Sequence, residues 1–176
     1  DVLSLLALII GGFSVLRRTK NIKDALEGWL MIGRLVNLLY GIKYKFFLDK
    51  RVDISSQNVF IHNAATFIVS SNPDARIKVD KNVYIGRFAN IHTGSNILIG
   101  EGAVLSDYVY LSTLSHGLDP FAGPIIQQES YDKGPIILGS NVFIGFGCKI
   151  MPNVKLGDWC IVGAGSVVTK SFPDYV

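Results

Sequence analysis

Charge is scarce in this sequence. Of 176 residues, 17 are Lys or Arg and 14 are Asp or Glu, while 49% are hydrophobic, a balance that excludes a disordered chain. The net charge of +3 is mildly basic and falls short of a nucleic-acid signature. That argues against nucleic-acid binding and leaves an anionic ligand or an anionic surface as the partner suited to it. Cysteine is scarcer still. Cys148 and Cys160 do not make the framework of a disulfide-stapled secreted fold, and they are expected as buried free thiols in a reducing compartment. Among the three histidines no two are close in sequence, and the nearest pair, His92 and His116, is 24 residues apart. A shared zinc site would want a close pair with a third in register, so no metal is expected. No Ser or Cys stands in a nucleophile motif, which disfavours a covalent acyl-enzyme.

Long hydrophobic runs are also few. Val2 to Leu16 is apolar except for Ser4, Gly11, Gly12 and Ser14, and falls short of the roughly 20 residues of a spanning helix. Its basic residues, Arg17 and Arg18, follow the run, the reverse of a cleavable signal. Asp24 to Phe47 reads as helix, with Leu26, Leu30, Val36 and Leu39 among its apolar positions. Residues 1–48 are therefore read as an N-terminal apolar helical segment, separate from a domain over 49–176. Three uses of the segment stay open: packing on the protein itself or a partner subunit, peripheral membrane contact through residues 1–47 as a monotopic or truncated anchor, and a true transmembrane span.

What the sequence has in abundance is a six-residue rhythm. From Leu138 it runs "LGSNVF", "IGFGCK", "IMPNVK", "LGDWCI", "VGAGSV", "VTKSFP". The first position is always aliphatic (Leu138, Ile144, Ile150, Leu156, Val162, Val168), and the fifth is small or medium in five of them, from Val142 to Ser166. An earlier block, "VDKNVY", "IGRFAN", "IHTGSNIL", "IGEGAV", "LSDYVY", "LSTLSH", follows the same rule with one eight-residue step. Six fits neither a helix nor a simple strand alternation. Positions one and five point inward, the corner between them carries glycines that permit positive φ, and three short walls close a triangle. This is an all-β, parallel β-helix, with a ragged first coil expected over residues 49–78.

The hexads resemble those of the hexapeptide-repeat acyltransferases. "ILIGEGAVLSDYVYLSTLSHG", the stretch from "KGPIILGSNVF" to "VGAGSVVTK", and "FPDY" look most like the O-acetyltransferases of bacterial O-antigens and capsules, relatives of the maltose and galactoside acetyltransferases. The resemblance covers about residues 76–176 and implies a left-handed β-helix. It further implies an acetyl-CoA-dependent O-acetyltransferase acting on a sugar hydroxyl of a surface polysaccharide or its lipid-linked precursor. Work in the cytoplasm, at the cytoplasmic face of the inner membrane, would suit such a substrate. An acyltransferase for a soluble sugar or amino sugar is the second reading, and a non-catalytic scaffold subunit the third.

The rhythm stops at His116 and resumes near Leu138, so one loop, about 117–135, is extruded from a corner. Its turn residues are Gly117, Pro120, Gly123, Pro124, Gly134 and Pro135. A loop on a rigid scaffold makes a cleft, and a histidine at its foot can take the proton of an attacking hydroxyl. The resemblance places the general base at His116 and matches Asn90 to the polar residue facing it across the acceptor pocket. His92, Ser115 and Asp119 are further acceptor-side candidates, with Asp119 or Glu129 able to orient the imidazole. On the donor side the resemblance carries coenzyme-A contacts onto Gly145, Ala164, Thr169 and Lys170, with Phe143 and Phe146 beside them. Apolar residues outside the inward slots, Phe143 and Trp159, lead us to expect a homotrimer with the site between subunits.

Overall fold

Each hexad supplies one short strand and one corner, and three of them bring the chain back to its starting wall. The computed structural model describes residues 48–176, and the chain divides between Leu48 and Asp49 into two units. The expected N-terminal helices and their membrane contact lie outside the described residues. Coil one holds β1 (Val52–Ile54), β2 (Phe60–Ile61) and β3 (Thr66–Val69), and coil two holds β4 (Arg76–Val79), β5 (Tyr84–Ile85) and β6 (Asn90–Thr93). Coil three holds β7 (Asn96–Ile99), β8 (Val104–Leu105) and β9 (Tyr110–Ser112), and then leaves the prism through β10 (Leu114–His116) and β11 (Ser130–Asp132). Coil four returns with β12 (Ile136–Leu138), β13 (Phe143–Ile144) and β14 (Lys149–Ile150), and coil five ends the stack with β15 (Lys155–Leu156), β16 (Ile161–Val162) and β17 (Val167–Val168).

Three parallel five-stranded sheets result, as expected of a left-handed β-helix. The first wall runs β1-β4-β7-β12-β15, the second β2-β5-β8-β13-β16 and the third β3-β6-β9-β14-β17. The inward slots are those read from the hexads. Leu138, Ile144, Ile150 and Leu156 are at most 2% exposed, and Val142, Cys148, Val154 and Cys160 fill the fifth positions. Burying one such aliphatic side chain stabilises by about 1.5–3 kcal/mol, and the slots repeat in every coil. The two cysteines are buried and unpaired, at the starts of different walls. Coil one is the irregular one, its inward residues only partly buried except Ala65. It is closed by Arg51, whose guanidinium donates to the carbonyls of Ser70 and Asn72 and pairs with Asp49.

The corners divide their work differently from the sequence expectation. Glycine at the second position serves close approach rather than positive φ: a Cβ on Gly145 would lie 2.6 Å from the Ala164 nitrogen of the next coil. The left-handed residue sits two places later. At the first-to-second corner it is Asn58, Asn82, Gly102, Asn141 and Trp159. Asparagine suits that backbone, and the Asn58 amide donates to Asn82 Oδ1 at 3.0 Å up the stack. The second-to-third corner instead puts Phe88 (φ 56°) and Tyr108 (φ 61°) there, followed by Gly147 and Gly165. A bulky side chain in this region costs about 1–2 kcal/mol, so two coils carry a local cost that two others avoid.

Candidate active site

The third wall sets the frame of the site. Alternation turns Ile91, Leu111 and Ile150 inward and leaves Asn90, His92, Tyr110 and Lys149 outside, with Asn90, Tyr110 and Lys149 in lateral register. At the end of β9 the chain branches away from the prism. Thr113, fully buried, donates its N–H to the His92 carbonyl and accepts Gly94 N–H on its hydroxyl at 2.7 Å. The Lys133 N–H comes back to the Thr113 carbonyl at 2.9 Å, so the excursion leaves and returns at one point.

Between those points the chain forms an antiparallel hairpin, the one pairing among the described strands that is not parallel. Its register is Leu114 with Asp132, Ser115 with Tyr131, and His116 with Ser130. Cross-strand neighbours lie about 4.5–5.5 Å apart at Cβ, close enough for their side chains to meet. Here His116 Nδ1 and Ser130 Oγ are 3.1 Å apart. When Nδ1–H donates to that hydroxyl, the exposed ring keeps an unprotonated Nε2 as its basic atom.

The loop beyond the hairpin is held by one side chain. Gln128 accepts the Asp119 N–H on Oε1 and donates through Nε2 to the carbonyls of Asp119 and Gly123, at 2.8 and 2.9 Å. Gly117, beside the histidine, leaves that side chain room to cross, since a Cβ there would lie 2.7 Å from Gln128 Oε1. The loop is also apolar outside: Phe121 is 96% exposed and Ile126 84%.

The sequence candidates fall into separate places. His116 stands on the hairpin as expected at the foot of the loop. Asp119 does not orient it: its carboxylate accepts the Phe121 N–H inside the loop, and Glu129 contributes its backbone carbonyl to Gly117. Ser130 holds the imidazole instead, a residue sequence reasoning missed because only the hairpin register brings it to His116. The Ser115 hydroxyl turns back to the His116 carbonyl at 3.3 Å. Asn90 and His92 share the outer face of the third wall, but Asn90 is level with Tyr110, six residues before His116. That is up to about 20 Å of extended chain. No hydrogen bond joins Asn90 or His92 to His116.

The donor-side candidates also lie on more than one edge. Gly145, Phe146 and Ala164 share the second-to-third corner, and Phe143 stands exposed on the second wall. Nothing lies within 4 Å of where a Cβ would be on Gly147, Gly163 or Gly165, so this corner is bare backbone facing open space in coils four and five. Thr169 and Lys170 lie past β17 and line a cavity of about 280 Å³ with Val162, Val168 and Phe172. The Lys170 ammonium rests 5.5 Å above the Phe172 ring. Near the same corner Asp107 is held below the usual carboxylate range, first by the Arg87 N–H and then by its charge. Among the described residues no cluster of His, Cys, Asp and Glu could hold a metal ion.

Comparison with known proteins adds to this geometry. The bacterial transferase hexapeptide (six repeats) family matches residues 135–170. A Staphylococcus aureus protein provisionally named an acetyltransferase is 30% identical over 134 residues, 76% of this chain and 63% of its own. The galactoside O-acetyltransferase of Escherichia coli K12 is 32% identical over 112 residues, 56% of this chain and 54% of its own. The chain thus spans less than two thirds of the length of these relatives. Among solved structures, the N-acyltransferase AntD of Bacillus cereus, in complex with dTDP and 3-hydroxybutyryl-CoA, shares the fold. Its TM-score is 0.53 at 22% identity, over 72% of this chain and 71% of that one.

Proposed function

We propose that this chain, whose residues 135–170 belong to the hexapeptide-repeat transferase family, is an acetyl-CoA-dependent O-acetyltransferase acting on a sugar hydroxyl. One observation carries the reading: an exposed histidine on a hairpin that interrupts the prism, its Nδ1 tied to a serine hydroxyl. The likeness to a galactoside O-acetyltransferase supports the acceptor class, and the coenzyme-A thioester bound by AntD supports the donor.

The acceptor hydroxyl gives its proton to His116 Nε2 as its oxygen attacks the thioester carbonyl carbon. The carbon–sulfur bond breaks, the ester forms, and the departing thiolate recovers the proton from the imidazolium. Ser130 keeps the ring in the tautomer that presents Nε2, and it stabilises the imidazolium less than a carboxylate would. The donor lies along the second-to-third corner beside Gly145 and Ala164, where Gly147, Gly163 and Gly165 leave backbone uncovered; Lys170 meets a phosphate as a point charge.

No hydrogen bond joins Asn90 to His116 within one chain, and a neighbouring copy brings the two residue types to one pocket. The assembly is a homotrimer, with Asn90 and His92 on one subunit and His116 with Ser130 on the next. The acceptor is a surface-polysaccharide sugar or its lipid-linked precursor, met at the cytoplasmic face of the inner membrane.

Release of thiol from acetyl-CoA, followed with a thiol reagent, tests the reading. Release should depend on a saccharide acceptor and disappear in His116→Ala. Equal release with and without every saccharide, or turnover with amino sugars alone, would overturn the O-acetyl assignment.

A further inference from the structure

The second-to-third corner carries a column of aromatic rings. Phe88 stacks on Tyr108 with centroids 4.9 Å apart and planes 25° from parallel, and Tyr108 meets Phe146 at 5.3 Å. The spacing is that of the coils, one ring per turn of the prism. None of the three fills a core slot: they are 52%, 51% and 56% exposed. Phe88 and Tyr108 also hold the left-handed backbone that asparagine or glycine takes at most other corners. Burial within the described chain does not account for that choice, and an outlier of this kind points to a ligand. Trp159 shares the backbone state on another corner but makes no ring contact among the described residues.

The column has an open end. In coil five the next rung falls at Ala164 and Gly165, where no side chain reaches outward. The uncovered backbone at Gly147, Gly163 and Gly165, on which the proposed donor lies, shares this corner with Phe146. Lys149, the second residue after Gly147, is exposed and makes no salt bridge among the described residues.

We propose that the column Phe88–Tyr108–Phe146 is a stacking platform for a flat heteroaromatic base, the adenine of the coenzyme, which adds a fourth ring against Phe146. The inference rests on the proposed coenzyme-A dependence and adds to it the residues that select the base. Tyr108 and Phe88 hold the Phe146 ring in place, so the base meets a fixed surface. A flat ring suits the open end: Phe88 and Tyr108 are stacked, Phe146 leans on Tyr108 with planes 55° apart, and base–aromatic stacking tolerates any orientation within the plane.

Calorimetric titration of the full chain with three probes tests this: coenzyme A, adenosine 3′,5′-bisphosphate, which has the base without the arm, and phosphopantetheine, which has the arm without the base. Phe146→Ala should weaken coenzyme A and the bisphosphate about tenfold while phosphopantetheine binds as before. Tyr108→Asn places a favoured residue at φ 61°; it should raise Tm by about 2–5 °C while weakening the bisphosphate about threefold. Unchanged bisphosphate affinity in Phe146→Ala overturns the platform. So does a change confined to the saccharide KM, or a change in solution mass, which would assign the rings to the acceptor or to a subunit contact. Wild-type protein that binds none of the three probes would overturn the acyltransferase reading itself, and the platform with it.

Discussion

Residues 136–168 and residues 114–132 are neighbours in sequence and obey opposite rules. In the first stretch side-chain roles are assigned by the coil above and the coil below: aliphatic inward, glycine at every second position but Met151, asparagine or glycine at most left-handed corners. In the second, no residue is more than partly buried, the strands run antiparallel, and shape depends on single contacts such as Gln128 to Asp119 and Ser130 to His116. The prism is held by repetition and the hairpin by particular pairs. A substitution in the prism should therefore harm the fold, and one in the hairpin should harm chemistry while the prism stands.

The largest expected effect is on the prism side. Ile144→Asp buries an unpaired carboxylate in a slot that is 0% exposed, at a cost comparable to the whole stability of a domain. No cooperative thermal transition should be recovered; a normal melt would show the slots to be less strict than described. Next comes His116→Ala, expected to lower kcat about 100-fold or more with Tm and circular dichroism unchanged. Near-wild-type turnover would remove His116 from the mechanism. Ser130→Ala should lower kcat about tenfold, leave both KM values alone and alter the acid limb of the pH profile, with Ser130→Thr restoring most of it. Equal loss in the alanine and threonine variants would make Ser130 merely structural.

The smallest effect concerns the first coil. The Asp49 carboxyl is lowered to about 2 by hydrogen bonds from the Arg51 side chain and N–H. A group depressed in the folded state stabilises above its unfolded pKa near 3.9 and loses that contribution as pH falls toward the folded value. Wild type and Asp49→Asn should therefore differ slightly in Tm above pH 4 and converge near pH 2. A difference that grows with acid would reverse the sign.

Much of this was legible in the sequence, for one physical reason: a six-residue period records the inward slots directly, so Ile144, Ile150 and Leu156 could be placed from spacing alone. The break at His116 was equally plain. Ser130 and Gln128 were not, because their partners follow from an antiparallel register that no periodicity encodes. The corners were half legible. Glycine was read as the positive-φ residue, whereas close packing between coils demands it at Gly145, and the left-handed turn falls on residues as unlike as Asn141 and Phe88. The register of Asn90 with Tyr110 rather than with His116 was hidden too, since it appears only when β6 and β9 are aligned.

The branch at Thr113 has an arithmetic that bears on the origin of the site. In coil two, Ile91 to Ile99 is a step of eight residues through the third-to-first corner, and Leu111 and Leu138 are their register partners in coils three and four. With residues 114–132 removed and Thr113 joined to Lys133, the step from Leu111 to Leu138 is also eight. Lys133 then stands where Gly94 stands, and Pro135 where Asn96 stands. The hairpin is thus a cassette set into a finished scaffold: what lies outside it is a complete prism, and what lies inside it carries the candidate base His116 and its partner Ser130. Such a cassette can lengthen, shorten or be exchanged without disturbing a single inward slot, because its two ends meet across one hydrogen bond. The scaffold can therefore stay constant while the hairpin at Thr113 changes in length or sequence.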